Sequence, residues 1–181
     1  MLKERVVITG IGAISPIGLS MEDTWQALMA GKSGVARITR FDPEPYGCKI
    51  AAEVKGFDPC NYLDRKEARH SDRFVHYAVA ASKEAVKMAA LKIDESNAND
   101  IGVLIGSGIG GLSTLYEQTR VLLERGPDRV SPFLAPMMVC DMASGQISIT
   151  LGVKGPNFCT TSSCSSSADA IGVACNLIRD G

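Results

Sequence analysis

Histidine and paired cysteines are scarce in this chain, and their scarcity argues against zinc centres. The 181 residues include two histidines, and the six cysteines contain no C-x-x-C pair. Structural zinc sites normally take about four such ligands at short spacings. The sequence therefore predicts no metal and no other cofactor, and its cysteines are expected to be reduced thiols rather than disulfides.

Excess charge and long apolar runs are also missing. The formal net charge is −1, so there is no general electrostatic case for binding nucleic acid. No apolar run approaches the roughly 20 residues of a membrane span, and glycines and a proline interrupt residues 6–18, unlike the core of a signal peptide. We therefore expect a cytoplasmic chain without membrane contact, and its 45% hydrophobic composition suffices for one sizeable core.

Hydrophobic periodicity predicts an α/β chain in which strands alternate with helices. Strands are predicted over residues 5–9, 48–54, 101–106 and 158–161. Helices are predicted over residues 20–31, 64–73, 75–90 and 112–125, and from residue 168 onward. Residues 127–144 combine Pro132 and Pro136 with an apolar cluster, which predicts an irregular segment that another surface must cover.

One cysteine stands at a predicted strand-to-helix corner. Cys164 lies among serines and Ala168, so little bulk would block a substrate from its sulfur. The thiolate is the nucleophilic form of cysteine, and a helix N-terminus stabilises both a thiolate and the oxyanion of a thioester adduct. The pattern indicates a nucleophile, with a small core residue and a flexible serine-rich linker as the alternatives.

A second pattern is basic. Arg65, Arg69 and Arg73 recur at intervals of four, so one face of a helix would be positively charged. This face is either a dock for an acidic partner or an ordinary solvated surface balanced by nearby carboxylates. His70 and His76 are six residues apart and share no helix face, so neither is assigned a catalytic role.

A glycine-rich turn joins the strand predicted at residues 101–106 to the next helix. Gly106, Gly108 and Gly111 satisfy G-x-G-x-x-G, which makes a dinucleotide-binding unit one alternative function. The fingerprint needs an acidic residue at the end of the next strand, whereas Glu117 and Glu124 both fall inside the predicted helix. The other interpretation is that the glycines let loop and helix pack tightly.

Further short segments complete a pattern that runs from end to end of the chain: residues 6–18, 31–34, 54–58, 62–67, 106–111, 131–133 and 155–157. Together with Cys164 they resemble the β-ketoacyl-acyl-carrier-protein synthases, notably those that elongate fatty acids. The resemblance implies a thiolase-like fold, in which two βαβαβαββ halves form an α-β-α-β-α sandwich. Residues 1–181 would be its incomplete N-terminal half.

The resemblance also implies a ping-pong reaction in a homodimer. Cys164 would accept an acyl chain from acyl carrier protein, and decarboxylation of malonyl carrier protein would then drive a Claisen condensation to a 3-oxoacyl product. By the same carry-over, the Cys164 N–H would contribute to the oxyanion hole, Ile109 and Ser163 would line the acyl pocket, and Phe133 and Leu134 would approach the dimer interface.

The same family meets its acidic carrier protein at a surface that corresponds here to Arg65, Lys66 and Arg69. Two serines depart from the family pattern, which commonly has alanine at position 163 and glycine at position 167. The Ser163 hydroxyl would shift the preferred chain length, and Ser167 requires a backbone that tolerates a β-carbon.

The family's two catalytic histidines belong to the second half of the fold, which residues 1–181 do not reach. We therefore expect these residues alone to be unable to complete condensation. A module that keeps the fold for binding or for structure, without catalysis, is the alternative of a different class.

Overall fold

In a computed structural model that describes residues 5–181, helices and strands alternate as predicted for an α/β chain. The helices are α1 (Met21–Met29), α2 (Arg65–Arg69), α3 (Arg73–Met88), α4 (Leu112–Arg125), α5 (Leu134–Met138), α6 (Met142–Leu151) and α7 (Ser166–Asp180). The strands are β1 (Val35–Arg37), β2 (Ile50–Ala52), β3 (Val103–Gly106) and β4 (Asn157–Thr160). No helix among the described residues is both long enough and apolar enough to cross a membrane.

A parallel pair of strands forms the centre of the fold. In β3 and β4, Val103 pairs with Asn157 and Gly106 pairs with Thr160. The connection between them contains α4, α5 and α6, as a parallel crossover requires. Because the strands run in the same direction, the loops that follow them leave the sheet at the same edge.

The core lies between this sheet and two helices. Val75 and Val79 of α3, Ile147 of α6 and Val103 of β3 are buried in one cluster, against which Ile105 packs. Since alternate residues of a strand point to opposite faces, Gly106 lies on the other side, where it approaches Ser166 of α7. The sheet is therefore covered by helices on both faces.

Several predicted helices are confirmed. The structure gives α4 the predicted bounds and places α3 within two residues of them. Ser20, at the predicted start of this helix, caps α1: the N–H of Asp23 donates to Ser20 Oγ at 3.1 Å, and the Ser20 hydroxyl donates to the Asp23 carboxylate at 2.7 Å. Gly31 ends that segment with φ +64°.

The strand predicted at residues 5–9 is wrong. The segment is assigned to no strand, and Val7 and Ile8 are 62% and 79% exposed. A strand needs a neighbour that pairs with its N–H and C=O groups, and residues 5–9 have no backbone hydrogen bond to another described residue. The chain reaches the body of the fold only afterwards, where Gly10 and Gly12 lie against the backbone of α3.

The prediction of one continuous basic helix over residues 64–73 is also wrong, because the helix is interrupted at residues 70–72. Asp72 has an extended backbone (φ −85°, ψ 165°) and begins α3 as its N-cap. Arg65 and Arg69 therefore lie on the five-residue α2, while Arg73 begins a different helix.

The apolar residues that recur at helical spacing in α1 and α7 are largely exposed to solvent. In α1 the buried residue is Ala27, whereas Trp25 and Leu28 are at least half exposed. In α7, Ile171 and Ile178 are exposed. The described residues supply no surface that covers these side chains.

The segment predicted to be irregular contains α5 and the start of α6. Pro136 is the third residue of α5, in the first turn, where a helix does not use the backbone N–H that proline lacks. The strand predicted at residues 48–54 shortens to β2, which pairs antiparallel with β1, a strand that the sequence did not indicate.

Candidate active site

Cys164 lies at the predicted strand-to-helix corner. It belongs to a single 3-10 turn, Ser163–Ser165, between β4 and α7. Its side chain is exposed, and α7 begins two residues further on. Among the described residues no acceptor receives the N–H of Cys164. The sulfur is thus reachable from solvent, and an unused N–H group accompanies it.

The serines close this corner by hydrogen bonds. Ser166 is buried; its hydroxyl donates to the Ser163 carbonyl at 2.7 Å and accepts the N–H of Ser162 at 2.9 Å. Thr160 Oγ1 donates to the Ser166 carbonyl at 2.8 Å and so ties the end of β4 to the start of α7. The N-cap residue, Ser165, makes no side-chain capping bond, so these hydroxyls hold the turn rather than cap the helix.

Ser163 carries the unusual backbone of the corner. Its φ is +54°, in the left-handed region that residues with a β-carbon adopt at a cost of about 1–2 kcal/mol. Ser167, the other serine that departs from the family pattern, lies in the first turn of α7, where a β-carbon is tolerated. The strain therefore falls immediately before the cysteine.

The loop of residues 107–111 packs against this corner. A β-carbon on Gly106 would lie 2.3 Å from the Ser166 carbonyl carbon, and one on Gly108 would lie 3.2 Å from the Ser163 carbonyl oxygen. The N–H of Ser107 donates to Thr160 O at 3.2 Å. Close backbone packing thus accounts for the first two glycines of G-x-G-x-x-G without a bound dinucleotide. Ile109, in this loop, is exposed.

The other end of the loop packs on α5. A β-carbon on Gly111 would lie 2.1 Å from Met137 O, and Gly110 approaches the backbone of Met138. Phe133, just before α5, stacks on His70 with ring centroids 4.0 Å apart and an angle of 7° between the rings. Leu134 is the first residue of α5.

The predicted basic residues form an exposed cluster on α2. Arg65, Lys66 and Arg69 are exposed, and none of them forms an ion pair with another described residue. Asp64 caps the helix by accepting the N–H groups of Lys66 and Glu67, each at 2.8 Å. Because the Asp64 carboxylate binds backbone N–H groups, the side chains of Arg65, Lys66 and Arg69 remain available to a charged partner.

Two polar residues beside α2 had no assigned role in the sequence. Asp72 is 7% exposed, and its Oδ2 accepts the N–H of Thr114 at 2.9 Å and the Thr114 hydroxyl at 2.5 Å. Nε2 of His76 lies 3.0 Å from Ala68 O and 3.1 Å from Ser71 Oγ. Burial lowers the pKa of His76, against the opposing effects of these hydrogen bonds and of Asp72. The sequence signals only that Asp72 precedes a helix.

A cleft of about 580 Å³ lies beside α3 and α4, lined among others by Lys55, Arg73 and Tyr77. Cys164 and its turn do not line it. Cys164 is exposed at the strand-to-helix corner, outside this cleft. Within residues 5–181, no three histidine, cysteine, aspartate or glutamate side chains come together as a metal site would require.

Comparison with known proteins identifies the family to which this chain is similar. The family model "Beta-ketoacyl synthase, N-terminal domain" matches residues 3–181. Two curated relatives named 3-oxoacyl-[acyl-carrier-protein] synthase 2 are similar: one from Synechocystis is 53% identical over 179 residues, and one from Staphylococcus aureus is 49% identical over 178 residues. The alignments cover 99% and 98% of this chain but 43% of each relative.

A solved structure agrees with the sequence relatives. The crystal structure of a β-ketoacyl synthase from Burkholderia phymatum is 32% identical to this chain and superposes with a TM-score of 0.82. The superposition covers 99% of this chain and 44% of the Burkholderia chain. The thiolase-like fold predicted from the sequence is thus confirmed for the part of it that residues 1–181 span.

Proposed function

The chain belongs to the β-ketoacyl synthase family, as its N-terminal domain, and on that premise we propose that it is the nucleophile-bearing part of a 3-oxoacyl-[acyl-carrier-protein] synthase. The observation that carries the proposal is the exposed Cys164 at the start of α7, with its N–H unused. The chain spans less than half the length of its curated relatives, so the complete reaction needs groups outside residues 1–181.

The chemistry begins with acyl transfer to Cys164. The thiolate attacks the thioester carbonyl of an acyl carrier protein, and a tetrahedral oxyanion forms. The unused N–H of Cys164 is available to donate to this oxyanion, which is the type of stabilisation on which acyl transfer depends. Collapse of the adduct breaks the carbon–sulfur bond to the carrier, whose thiolate leaves and takes up a proton. The acyl group remains on Cys164.

Condensation then lengthens this acyl group. Malonyl carrier protein loses carbon dioxide, and the carbanion that remains attacks the acyl carbonyl on Cys164. The new carbon–carbon bond releases the Cys164 thiolate and gives a 3-oxoacyl product on the carrier. Residues 1–181 contribute the acceptor thioester to this step, and the groups that promote decarboxylation are expected in the remainder of the family's fold.

We assign the carrier-protein dock, the acyl pocket and the dimer interface to the residues that the family resemblance implies. The unpaired cations of Arg65, Lys66 and Arg69 would attract an acidic carrier protein, the partner that the relatives' names state. Ile109 and Ser163 would line the acyl pocket, with Phe133 and Leu134 at a homodimer interface. All six cysteines are free thiols, which supports a reducing compartment such as the cytoplasm.

Selective alkylation tests whether Cys164 is a live nucleophile. The chain is treated with substoichiometric iodoacetamide, and the modified peptides are quantified by mass spectrometry. We expect Cys164 to be modified before the other five cysteines. Cys48 and Cys60 are exposed as well, so they report exposure without the helix corner. Equal slow labelling of Cys164, Cys48 and Cys60 would favour a module that keeps the fold without catalysis.

A further inference from the structure

The break between α2 and α3, residues 70–72, contacts two segments that adjoin the loop of residues 107–111. His70 stacks on Phe133, which precedes α5. Asp72 accepts two hydrogen bonds from Thr114 in the first turn of α4. Both α4 and α5 are in contact with the loop of residues 107–111. This break is thus connected, through α4 and α5, to the C-terminal end of that loop.

Asp72 makes the stronger of these two contacts. The residue is 7% exposed, and a buried carboxylate is stable only where donors compensate for lost hydration. As the N-cap of α3, its side chain could bond to its own helix but does not. Both bonds go instead to Thr114, 42 residues away, where the carboxylate also meets the positive end of α4. The start of α4 is therefore anchored to the start of α3.

The first turn of α4 directly follows the loop of residues 107–111, and this loop packs against the turn that contains Cys164. Gly111 immediately precedes α4, and Gly108 lies against the backbone of Ser163. Because these backbone segments are closely packed, a shift of α4 moves the loop of residues 107–111, which includes Ile109. Among the described residues, Asp72 is the one charged residue that is buried.

We propose that Asp72 is a positioning residue: through Thr114 it fixes the loop of residues 107–111 against the Cys164 corner and thereby sets which acyl chain lengths the site accepts. The chain-length part rests on the proposed function. The claim that Asp72 positions the loop does not rest on the proposed function, because it concerns the structure of the loop alone.

Glu84 provides a matched control. It is a second carboxylate on α3 that holds backbone of another segment, since it accepts the N–H groups of Ala13 at 2.9 Å and Met21 at 2.7 Å. Removing either side chain costs the protein a comparable number of hydrogen bonds. Only Asp72 is bonded to the turn that carries the loop of residues 107–111.

The experiment compares Asp72→Ala, Asp72→Asn and Glu84→Ala in a form of the protein with the full length of the family's enzymes, called the full-length form. Loading of Cys164 is measured by mass spectrometry with carrier protein bearing a six-carbon or a fourteen-carbon chain. We expect Asp72→Ala, which removes both bonds, to change the ratio of the two loading rates about fivefold, a difference of about 1 kcal/mol between the two chains. Because both bonds use one oxygen, Asp72→Asn should restore most of the original ratio.

The proposal is overturned if Asp72→Ala leaves the ratio unchanged, or if Glu84→Ala changes it equally. If Asp72→Ala fails to fold, Thr114→Val and Thr114→Ser decide: only the valine variant should shift the ratio. If the original protein loads neither chain, the proposed function fails, and hydrogen exchange then tests the positional part alone. Faster exchange at residues 107–114 in Asp72→Ala than in Glu84→Ala supports it, and equal exchange refutes it.

Discussion

At Ser163 the backbone holds a conformation that most side chains resist. With φ +54°, a β-branched residue would add crowding to the existing strain. We expect Ser163→Val to lower the free energy of unfolding by about 1–3 kcal/mol, and Ser163→Gly to leave it unchanged or raise it. Urea unfolding of the full-length form measures both. Ser167→Gly is the control: since Ser167 lies in α7, glycine there should lower stability by about 0.5–1 kcal/mol. Equal effects of glycine at both positions would contradict the assignment of strain to Ser163.

His76 makes stability depend on pH. Burial lowers its pKa in the folded protein below the model-compound value of 6.5, so between the two pKa values the unfolded chain binds more protons. Stability therefore rises with pH in this range. The contribution is complete above about pH 6.5 and is lost as the pH falls through the folded pKa.

The prediction for His76 is a difference between two stability profiles. Unfolding free energies of the full-length form and of its His76→Gln variant are measured by urea titration at intervals from pH 5 to pH 7.5, a range that extends to both sides of the unfolded pKa. The variant should lose less stability on acidification, because glutamine does not titrate. Carboxylates titrate in both proteins, so the difference isolates His76. Parallel profiles would show that burial does not shift this pKa.

Among the structural elements, the packing of the parallel β3–β4 pair against α7 requires a glycine at position 106. A β-carbon on Gly106 would lie 2.3 Å from the backbone of Ser166, and backbone cannot rotate away as a side chain can. We expect Gly106→Ala to lower the free energy of unfolding by about 1–3 kcal/mol or more. The loss should be accompanied by slower alkylation of Cys164, because the turn that holds it is displaced.

Gly145 is the matched control for Gly106. It lies inside α6 with no atom within 4 Å of a built β-carbon. Alanine favours a helix over glycine by about 1 kcal/mol, so Gly145→Ala should raise stability, and the two glycine variants should have opposite signs. A loss of stability in both would mean that the close approach of Gly106 is not what restricts it.

The sequence predicted those elements that are determined by residues adjacent to one another in the chain. The helix α4 was predicted with correct bounds because an amphipathic period begins after Gly111 and ends at Gly126. The Cys164 corner was predicted from adjacent residues, since strand, small residues and helix follow one another directly. In contrast, α6 is apolar on most faces and buried at Ala143, Ser144 and Ile147, so it offers no period to detect.

Features that depend on distant partners could not be predicted. Residues 5–9 have the composition of a strand, but a strand exists only beside a neighbour, and sequence does not show which one is available. The bond between Asp72 and Thr114 joins residues 42 positions apart, and Asp72 alone signals only a helix start. The resemblance to a known family supplied the role of Cys164, which spacing left open among three interpretations.

The whole molecule exposes more surface than a folded chain of its size should. Its accessible surface is 12087 Å², whereas a compact monomer of 19.2 kDa would expose about 8,400 Å². The excess is about 3,700 Å² on this chain alone, whereas obligate interfaces bury about 2,000–5,000 Å² counted over both partners, so it is more than one partner's usual share. Exposed apolar side chains such as Ile8, Ile149, Ile171 and Ile178 contribute to it. We infer that the remainder of the family's fold covers these side chains.

This inference predicts that adding the rest of the family's fold changes how much of an apolar dye the chain binds. Alone, the chain should bind the dye ANS strongly, because contiguous exposed apolar surface binds it. The full-length form, or the chain fused to the C-terminal part of the Synechocystis relative, should bind far less dye per molecule and unfold at a higher temperature. Ile171→Ser and Ile178→Ser should reduce dye binding by the isolated chain. Dye binding that stays the same after extension would show that these side chains remain uncovered.

Acyl transfer to a single sulfur is the most direct test of the central claim. The chain, its Cys164→Ala variant and the full-length form are incubated with acyl carrier protein bearing a long acyl chain, and intact masses are measured. We predict that the full-length form gains one acyl group, that peptide mapping places it on Cys164, and that Cys164→Ala in the full-length form gains none. An acyl group on another cysteine, or equal loading of the Cys164→Ala variant, would contradict the account.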